Sequence, residues 1–258
     1  MDLLSSIILG VVEGITEFLP ISSTGHLILT SQLLGLAQSD FAKSFEIIIQ
    51  LGAILAVVAL YFKSFFDIEI LKRLFVAFLP TGIIGLALYK LVKTYLIGNE
   101  SVVLWALLIG GVVLIAFELI HKEPADTSGE VVSVASITYK QSFLIGIFQA
   151  LAIIPGISRS AATIVGGLIL GLRRTTIVEF SFLLAVPTMM AATGLDLVKN
   201  ASSFSVDQFG SLAVGFIVSF VVALFSIKFL LGYIRKHTFI PFGIYRIVVA
   251  LLFWFIIL

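Results

Sequence analysis

EGITEFLPISSTGH, Glu13 to His26, interrupts a stretch that otherwise reads as membrane. These residues hold two glutamates, two serines, two threonines, a histidine and a proline. How an apolar chain accommodates such a polar run decides both its fold and its chemistry.

The surroundings are apolar beyond what a soluble surface allows. The 258 residues are 60% hydrophobic and 12% charged, against about half and about a quarter in average soluble domains. Lipid is therefore the expected solvent for most of the chain. Sixteen basic residues against 15 acidic ones leave no basic face for nucleic acid. The absence of cysteine excludes disulfides, thiolate nucleophiles and Cys-based metal sites. The N-terminus, MDLL, lacks a basic n-region and runs into Glu13 and Glu17 rather than a cleavage site, so no cleaved signal peptide is expected.

A spanning helix needs roughly 20 mostly apolar residues, and about six candidates are present, near 44–62, 74–96, 102–120, 176–197, 210–234 and 239–258. Residues 2–35 and 141–171 are also apolar but broken, the first at Pro20 and the second at PGISRS, Pro155 to Ser160. Each would give two helices too short to cross separately, so each is either one kinked span or, the favoured reading, a segment that dips in and returns on the same side. Irregular backbone at membrane depth is tolerated only where protein or a wet cavity covers it, so both breaks should point inward.

The halves, about 1–120 and 141–258, resemble each other across a polar loop at 121–140, within a single membrane domain. GVVEGITEFLPISSTGH from Gly10 aligns with GIFQALAIIPGISRSAAT from Gly146, placing Glu13 against Gln149, Pro20 against Pro155 and Ser23 against Ser158. Three crossings per half would invert the second half, the inverted-topology repeat known from broken-helix membrane proteins. On that topology one side carries Lys63, Lys72, Arg73, Lys122, Lys140, Arg173, Arg174, Arg235 and Lys236, the other only Lys43, Lys90, Lys93 and Lys199. The first side should be cytoplasmic.

Glu13 and Glu17 lie four apart, on one helix face. Intramembrane carboxylates usually line functional cavities, and a divalent cation such as Mg²⁺ or Ca²⁺ would separate their charges. Protonated, hydrogen-bonded glutamates are the plainer alternative. After Pro20, Ser22, Ser23 and Thr24 can cap a new helix, or bind phosphate. His26 sits one turn beyond Ser23, the spacing of a nucleophile–base pair, or else bonds a backbone carbonyl. In the second break, Gly156 permits close backbone approach, Ser158 and Ser160 can cap a helix whose free N–H groups bind phosphate, and Thr163 follows on that helix. Arg159 offers a planar fork for phosphate oxygens, or pairs structurally with a glutamate. Glu46 and Gln50 could line the same cavity or bridge helices, Glu118 reads as interfacial, and Asp196 and Arg246 read as snorkelling. Together these parts suggest diphosphate chemistry on an amphiphile. A secondary transporter or lipid flippase is the alternative, since broken helices and midplane charges are equally its signature.

At LGVVEGITEFLPISSTGHLIL (Leu9–Leu29) and PGISRSAATI (Pro155–Ile164) the chain resembles the bacterial undecaprenyl-diphosphate phosphatases of the bacitracin-resistance type. FEIIIQLGAILAVV from Phe45 and FSFLLAVP from Phe180 extend the resemblance essentially end to end. It implies a cation-dependent phosphatase in the bacterial inner membrane, acting on a polyprenyl diphosphate to recycle the carrier lipid of cell-wall synthesis. It also implies an all-α inverted-repeat fold with two re-entrant helix pairs and a site open to the periplasmic or extracellular side. Carried over by position, Glu13 and Glu17 fall in the acidic motif, Ser23 and His26 in its hydroxyl–imidazole part, and Ser158, Arg159 and Thr163 in the phosphate-binding motif. The resulting expectation is Ser23, His26, Glu17 and Arg159 as catalytic residues and Glu13 with Glu17 as cation ligands. Ser22, Thr24, Gly156, Ser158, Ser160 and Thr163 are expected to bind substrate. Ser23 as nucleophile with His26 as base, and water activated directly by His26 or a glutamate, both stay open. So does the oligomeric state, a homodimer included.

Overall fold

Capping side chains and apolar length divide the chain into helices wherever it is described. The structure, a computed structural model, describes residues 1–36, 40–96, 99–121, 133–200 and 208–257, side chains at 40, 43, 89, 93, 195–200 and 257 excepted. The side chains of Lys43, Lys93, Asp196 and Lys199, with Lys122 and the polar loop from 122 to 132, therefore lie outside the described residues.

The first half contributes α1 (Leu3–Thr16), α2 (Ser23–Leu33), α3 (Asp40–Leu60), α4 (Ile68–Tyr95) and α5 (Glu100–Ile120). The second contributes α6 (Tyr139–Ala150), α7 (Arg159–Ile169), α8 (Arg174–Asn200), α9 (Phe209–Tyr233) and α10 (Ile240–Ile257). No strand occurs among the described residues. Helix starts follow local chemistry: Asp2, Asp67, Asn99 and Ser158 each accept a backbone N–H of the turn they open. Thr138 and Gln141 close a capping box at the start of α6.

Among the described residues, four helices are long and apolar enough to cross a membrane, over Ile68–Leu88, Glu100–Ile120, Arg174–Gly194 and Phe209–Tyr233. The other two stretches expected to span, in α3 and α10, are shorter as apolar segments, Ser44–Leu60 and Ile240–Ile256. The helices are interrupted where proline and polar runs said they would be. α1 stops at Thr16 and α2 starts at Ser23; α6 stops at Ala150 and, after a 3₁₀ turn at Leu151–Ile153, α7 starts at Arg159. Pro20 and Pro155, lacking an N–H, fall in the gaps, where no helical hydrogen bond is asked of them.

Packing brings the two gaps together. α1 lies on α9 and α6 on α4; α3 meets both α8 and α9, and α5 pairs with α10. Gly10 makes the first pairing close: a Cβ there would come within 2.7 Å of Gly215 O on α9. Gly146 does the same against Ala77 O on α4. Between these pairs the apolar side of the first gap is sealed. Phe18, Leu19 and Ile21 are buried, and Phe18 meets Phe182 edge-on with ring centroids 5.2 Å apart.

Candidate active site

Glu17, one residue past α1, is the junction of the site. Ser23, first residue of α2, donates its hydroxyl to Glu17 Oε2 at 2.5 Å. Arg159, first residue of α7, donates Nη2 to Glu17 Oε1 at 3.0 Å and Nη1 to Ser181 O at 2.8 Å. A single buried carboxylate thus joins a hydroxyl from one break to a guanidinium from the other. The pairing supplies the counter-charge that such an arginine needs. It leaves Arg159 Nε buried with no hydrogen-bond partner.

The two gaps are also stitched backbone to side chain. Ser160 Oγ donates to Phe18 O at 2.8 Å, and Ser158 Oγ reaches Leu19 O at 3.5 Å while accepting from Ala161 N at 3.1 Å. Thr163 donates within its own helix turn and shares a 2.6 Å hydrogen bond with Ser181 Oγ. Three hydroxyls expected to bind substrate are therefore engaged with the protein here. Ser22 caps α2, accepting from Gly25 N at 3.4 Å, and does so at φ 74°, a backbone conformation that costs a serine energy. Thr24 is exposed. Gly156 adopts φ 93°, and the close approach it permits is to α5, where a Cβ would lie 2.7 Å from Val103 O.

His26 faces elsewhere than expected. Its Nδ1 lies 2.8 Å from Ser22 O, and since a carbonyl only accepts, Nδ1 carries the proton. Nε2 lies 2.9 Å from the Tyr245 hydroxyl, and the two rings stack 5.5 Å apart. The hydroxyl–imidazole pair expected of Ser23 and His26 is replaced by a hydroxyl–carboxylate pair, because Glu17 comes back over the start of α2.

Arg246 corrects a second expectation. It does not snorkel: it is 1% exposed, and donates Nη1 to Pro20 O at 3.3 Å and Nη2 to Gly156 O at 3.0 Å. Its Nη2 and Nε also reach Ala106 O and Leu107 O of α5, at 2.9 and 3.3 Å. Breaking two helices strands carbonyls away from water, and one fully buried guanidinium serves both gaps. Glu118 likewise is buried rather than interfacial. It holds Arg174 through two hydrogen bonds of 2.5 and 3.2 Å and accepts Phe239 N at 3.1 Å. Glu46 accepts from Ser31 Oγ at 3.0 Å and so bridges α3 to α2.

Two features bear on ligands. Glu13 is fully buried, and both its carboxylate oxygens lack hydrogen-bond partners among the described residues, one helical turn from Glu17. No group of three or more His, Asp and Glu side chains placed to hold a metal ion occurs among the described residues. A cation held here would take protein oxygens from Glu13 and Glu17 and complete its shell elsewhere, a donor set suited to a hard ion. The second feature is a cavity of about 530 Å³ that has Arg159 in its wall, together with Phe78, Ile153 and Met189. Anion-binding charge and apolar lining share one space, as an amphiphile requires.

Comparison with known proteins matches the chain to a family. Residues 6–252 fit the model of the family described as Bacitracin resistance protein BacA. The chain belongs to it. Curated BacA relatives named undecaprenyl-diphosphatase include one from Sulfurihydrogenibium sp. (strain YO3AOP1), 55% identical over 98% of this chain and 99% of that relative. Another, from Aquifex aeolicus (strain VF5), is 51% identical over 96% of both chains. A third, from Persephonella marina (strain DSM 14350 / EX-H1), is 50% identical over the whole of both.

Proposed function

We propose that this BacA-family protein is an undecaprenyl-diphosphatase, a membrane hydrolase that removes the terminal phosphate of undecaprenyl diphosphate and returns undecaprenyl phosphate to cell-wall synthesis. The carrying observation is the Glu17 carboxylate joining Ser23 to Arg159 beside an apolar cavity. Relatives matched along nearly their whole length bear the name of that activity.

Ser23 is positioned to attack the terminal phosphorus, with Glu17 Oε2 accepting its proton. The bond from that phosphorus to the bridging oxygen breaks, and the lipid monophosphate leaves without needing a proton. Water then displaces the phosphoryl group from Ser23, Glu17 returns the proton to Ser23 Oγ, and phosphate departs with both protons of the water, passing to solvent any further proton that the phosphoryl group brought in. Arg159 neutralises the charge that accumulates on the transferred group. Glu13 and Glu17 would hold a Mg²⁺ or Ca²⁺ ion, which when bound supplies further charge neutralisation on the diphosphate. His26, held by Ser22 and Tyr245, orients the start of α2 rather than taking the proton.

The topology belongs to the same proposal. The halves form an inverted repeat with α1–α2 and α6–α7 as re-entrant pairs and six spans in all. Exchange of packing partners supports it: α1 sits on α9 through Gly10 as α6 sits on α4 through Gly146, the residue aligned with Gly10. With the basic side cytoplasmic, the first re-entrant pair enters from the outer face of the bacterial inner membrane, and the site where the two breaks meet opens toward that face.

The test is phosphate release from a long-chain polyprenyl diphosphate by purified protein in detergent, with and without Mg²⁺ or Ca²⁺. Cation-dependent release, with acid-stable phosphoserine trapped on rapid quenching, is the expected result. No release under any cation by folded protein sinks the phosphatase reading; full turnover by Ser23→Ala sinks the covalent step alone.

A further inference from the structure

The cavity beside Arg159 has a second polar group in its wall, formed by Thr81, Gln149 and Thr188. Thr81 Oγ1 donates to Gly146 O at 2.8 Å, and Thr188 Oγ1 donates to Leu184 O at 2.8 Å. With both hydroxyl protons committed, only lone pairs are left to face Gln149. They fix the orientation of its amide: Nε2 donates to Thr81 at 2.9 Å and to Thr188 at 3.2 Å. Gln149 is 1% exposed, and its Oε1 has no hydrogen-bond partner among the described residues. Arg159 Nε is a buried donor with the same deficit, and its residue lines the same cavity. Buried polar groups are paired as a rule, so an unmet acceptor and an unmet donor on two residues of one cavity wall suit a ligand that both donates and accepts.

We infer that Gln149 is a substrate-binding residue that reads protonation: its Oε1 accepts the P–OH of a monoprotonated phosphoryl group whose ionised oxygens face Arg159. The inference rests on the phosphatase reading and names the ionic form of the diphosphate that the site takes. A glutamine suits the role because an acceptor without charge does not repel the remaining phosphate oxygens, as a carboxylate would. Arg159 is the only charged side chain among the described residues lining the cavity. Of the elements around Gln149, α4 carries Glu69, Lys72, Arg73, Lys90 and Lys93, α6 carries Lys140, and α8 carries Arg174, Glu179, Asp196 and Lys199, each two turns or more along its helix from Thr81, Gln149 or Thr188. Those whose side chains are described, Glu69, Lys72, Arg73, Lys90, Lys140, Arg174 and Glu179, are not among the residues lining the cavity.

The experiment measures KM and kcat for a long-chain polyprenyl diphosphate, and the inhibition constant of inorganic phosphate, in the wild-type chain and Gln149→Leu. The pH runs from about 5.5 to about 8.5, across a phosphate ionisation near 6. Loss of one hydrogen bond to the ligand should raise KM about tenfold at the acid end, with kcat changed far less. The penalty should shrink toward none at the alkaline end, where the wild type too has lost its P–OH partner. If KM moves, the lipid substrate is what Gln149 holds; if only phosphate inhibition moves, Gln149 holds the released product and the substrate assignment is overturned. A KM ratio that stays flat with pH, or a loss confined to kcat, also overturns it. If Gln149→Leu melts below the assay temperature, Gln149→Met, with a more adaptable side chain, carries the same expectations. A wild type that releases no phosphate fails the phosphatase reading itself, whereas an active wild type with an unaffected variant fails only this inference.

Discussion

Between Thr16 and Ser23 the chain passes through Glu17, Phe18 and Pro20 and re-enters helix under Ser22; between Ala150 and Arg159 it passes through a 3₁₀ turn, Pro155 and Gly156 and re-enters under Ser158. In both, a serine caps the second helix and a proline sits in the gap. Their backbone problems are solved alike, by Arg246 taking one carbonyl from each. Their charges differ. The first break brings Glu13 and Glu17, while the second brings Gln149 where the alignment has Glu13, and Arg159 for charge. Two similar scaffolds, each carrying one sign, meet to form a site that neither half contains.

That comparison is broken most severely by removing the positive arm. Arg159→Ala should lower phosphate release about 10³-fold, and Arg159→Lys should recover little of it, since an ammonium cannot serve Ser181 O, Glu17 and a phosphate in one plane. A Lys variant near wild-type rates would show that charge alone suffices. Arg246→Leu should instead destabilise the protein by about 3 kcal/mol, seen as a lowered melting temperature, because four carbonyls lose their donor. The folded fraction should keep its specific activity within a few-fold. If turnover falls without any change in melting, the two arginines are not divided into one for chemistry and one for scaffold.

The acidic arm is sharpened by Glu17→Gln, which preserves shape and an acceptor for Ser23 but removes the base. A fall of about 10²-fold in kcat is expected. The smallest effect belongs to Tyr245→Phe, which keeps the stacked ring and deletes the hydroxyl on His26 Nε2. Turnover should drop by no more than about threefold, in line with one neutral hydrogen bond. A drop as large as that of Glu17→Gln would return His26 to the role of base.

Much of the site was legible because its chemistry is local. The polar runs after Glu13 and after Pro155 announced both breaks, and helix periodicity put Glu13 and Glu17 on one face. Partners far apart in the chain were not legible. Tyr245 reaches His26 across 219 positions, and nothing near either residue signals the other. Arg246 stands early in an apolar helix, where a lone arginine reads as reaching for the interface, yet its acceptors are backbone carbonyls that no sequence pattern marks. Glu118 looked interfacial for the same reason, its partner Arg174 being 56 residues away. Ser23 and His26 share a helix and so suggested a pair. What decides Ser23's partner is the return path of Glu17 through the gap, which is irregular backbone and has no periodicity to read.

The Glu17–Arg159 contact also bears on how quickly the site empties. Because the carboxylate already occupies the guanidinium, an arriving anion gains only the difference between its own hold on Arg159 and that of Glu17. A dianionic diphosphate at the end of a long lipid tail can outbid the glutamate with help from the tail's apolar contacts. Free phosphate, stripped of that tail, has charge alone with which to stay. Under the proposed mechanism Glu17 would act as a tethered rival for Arg159 as phosphate leaves, favouring discharge of the small product over its retention.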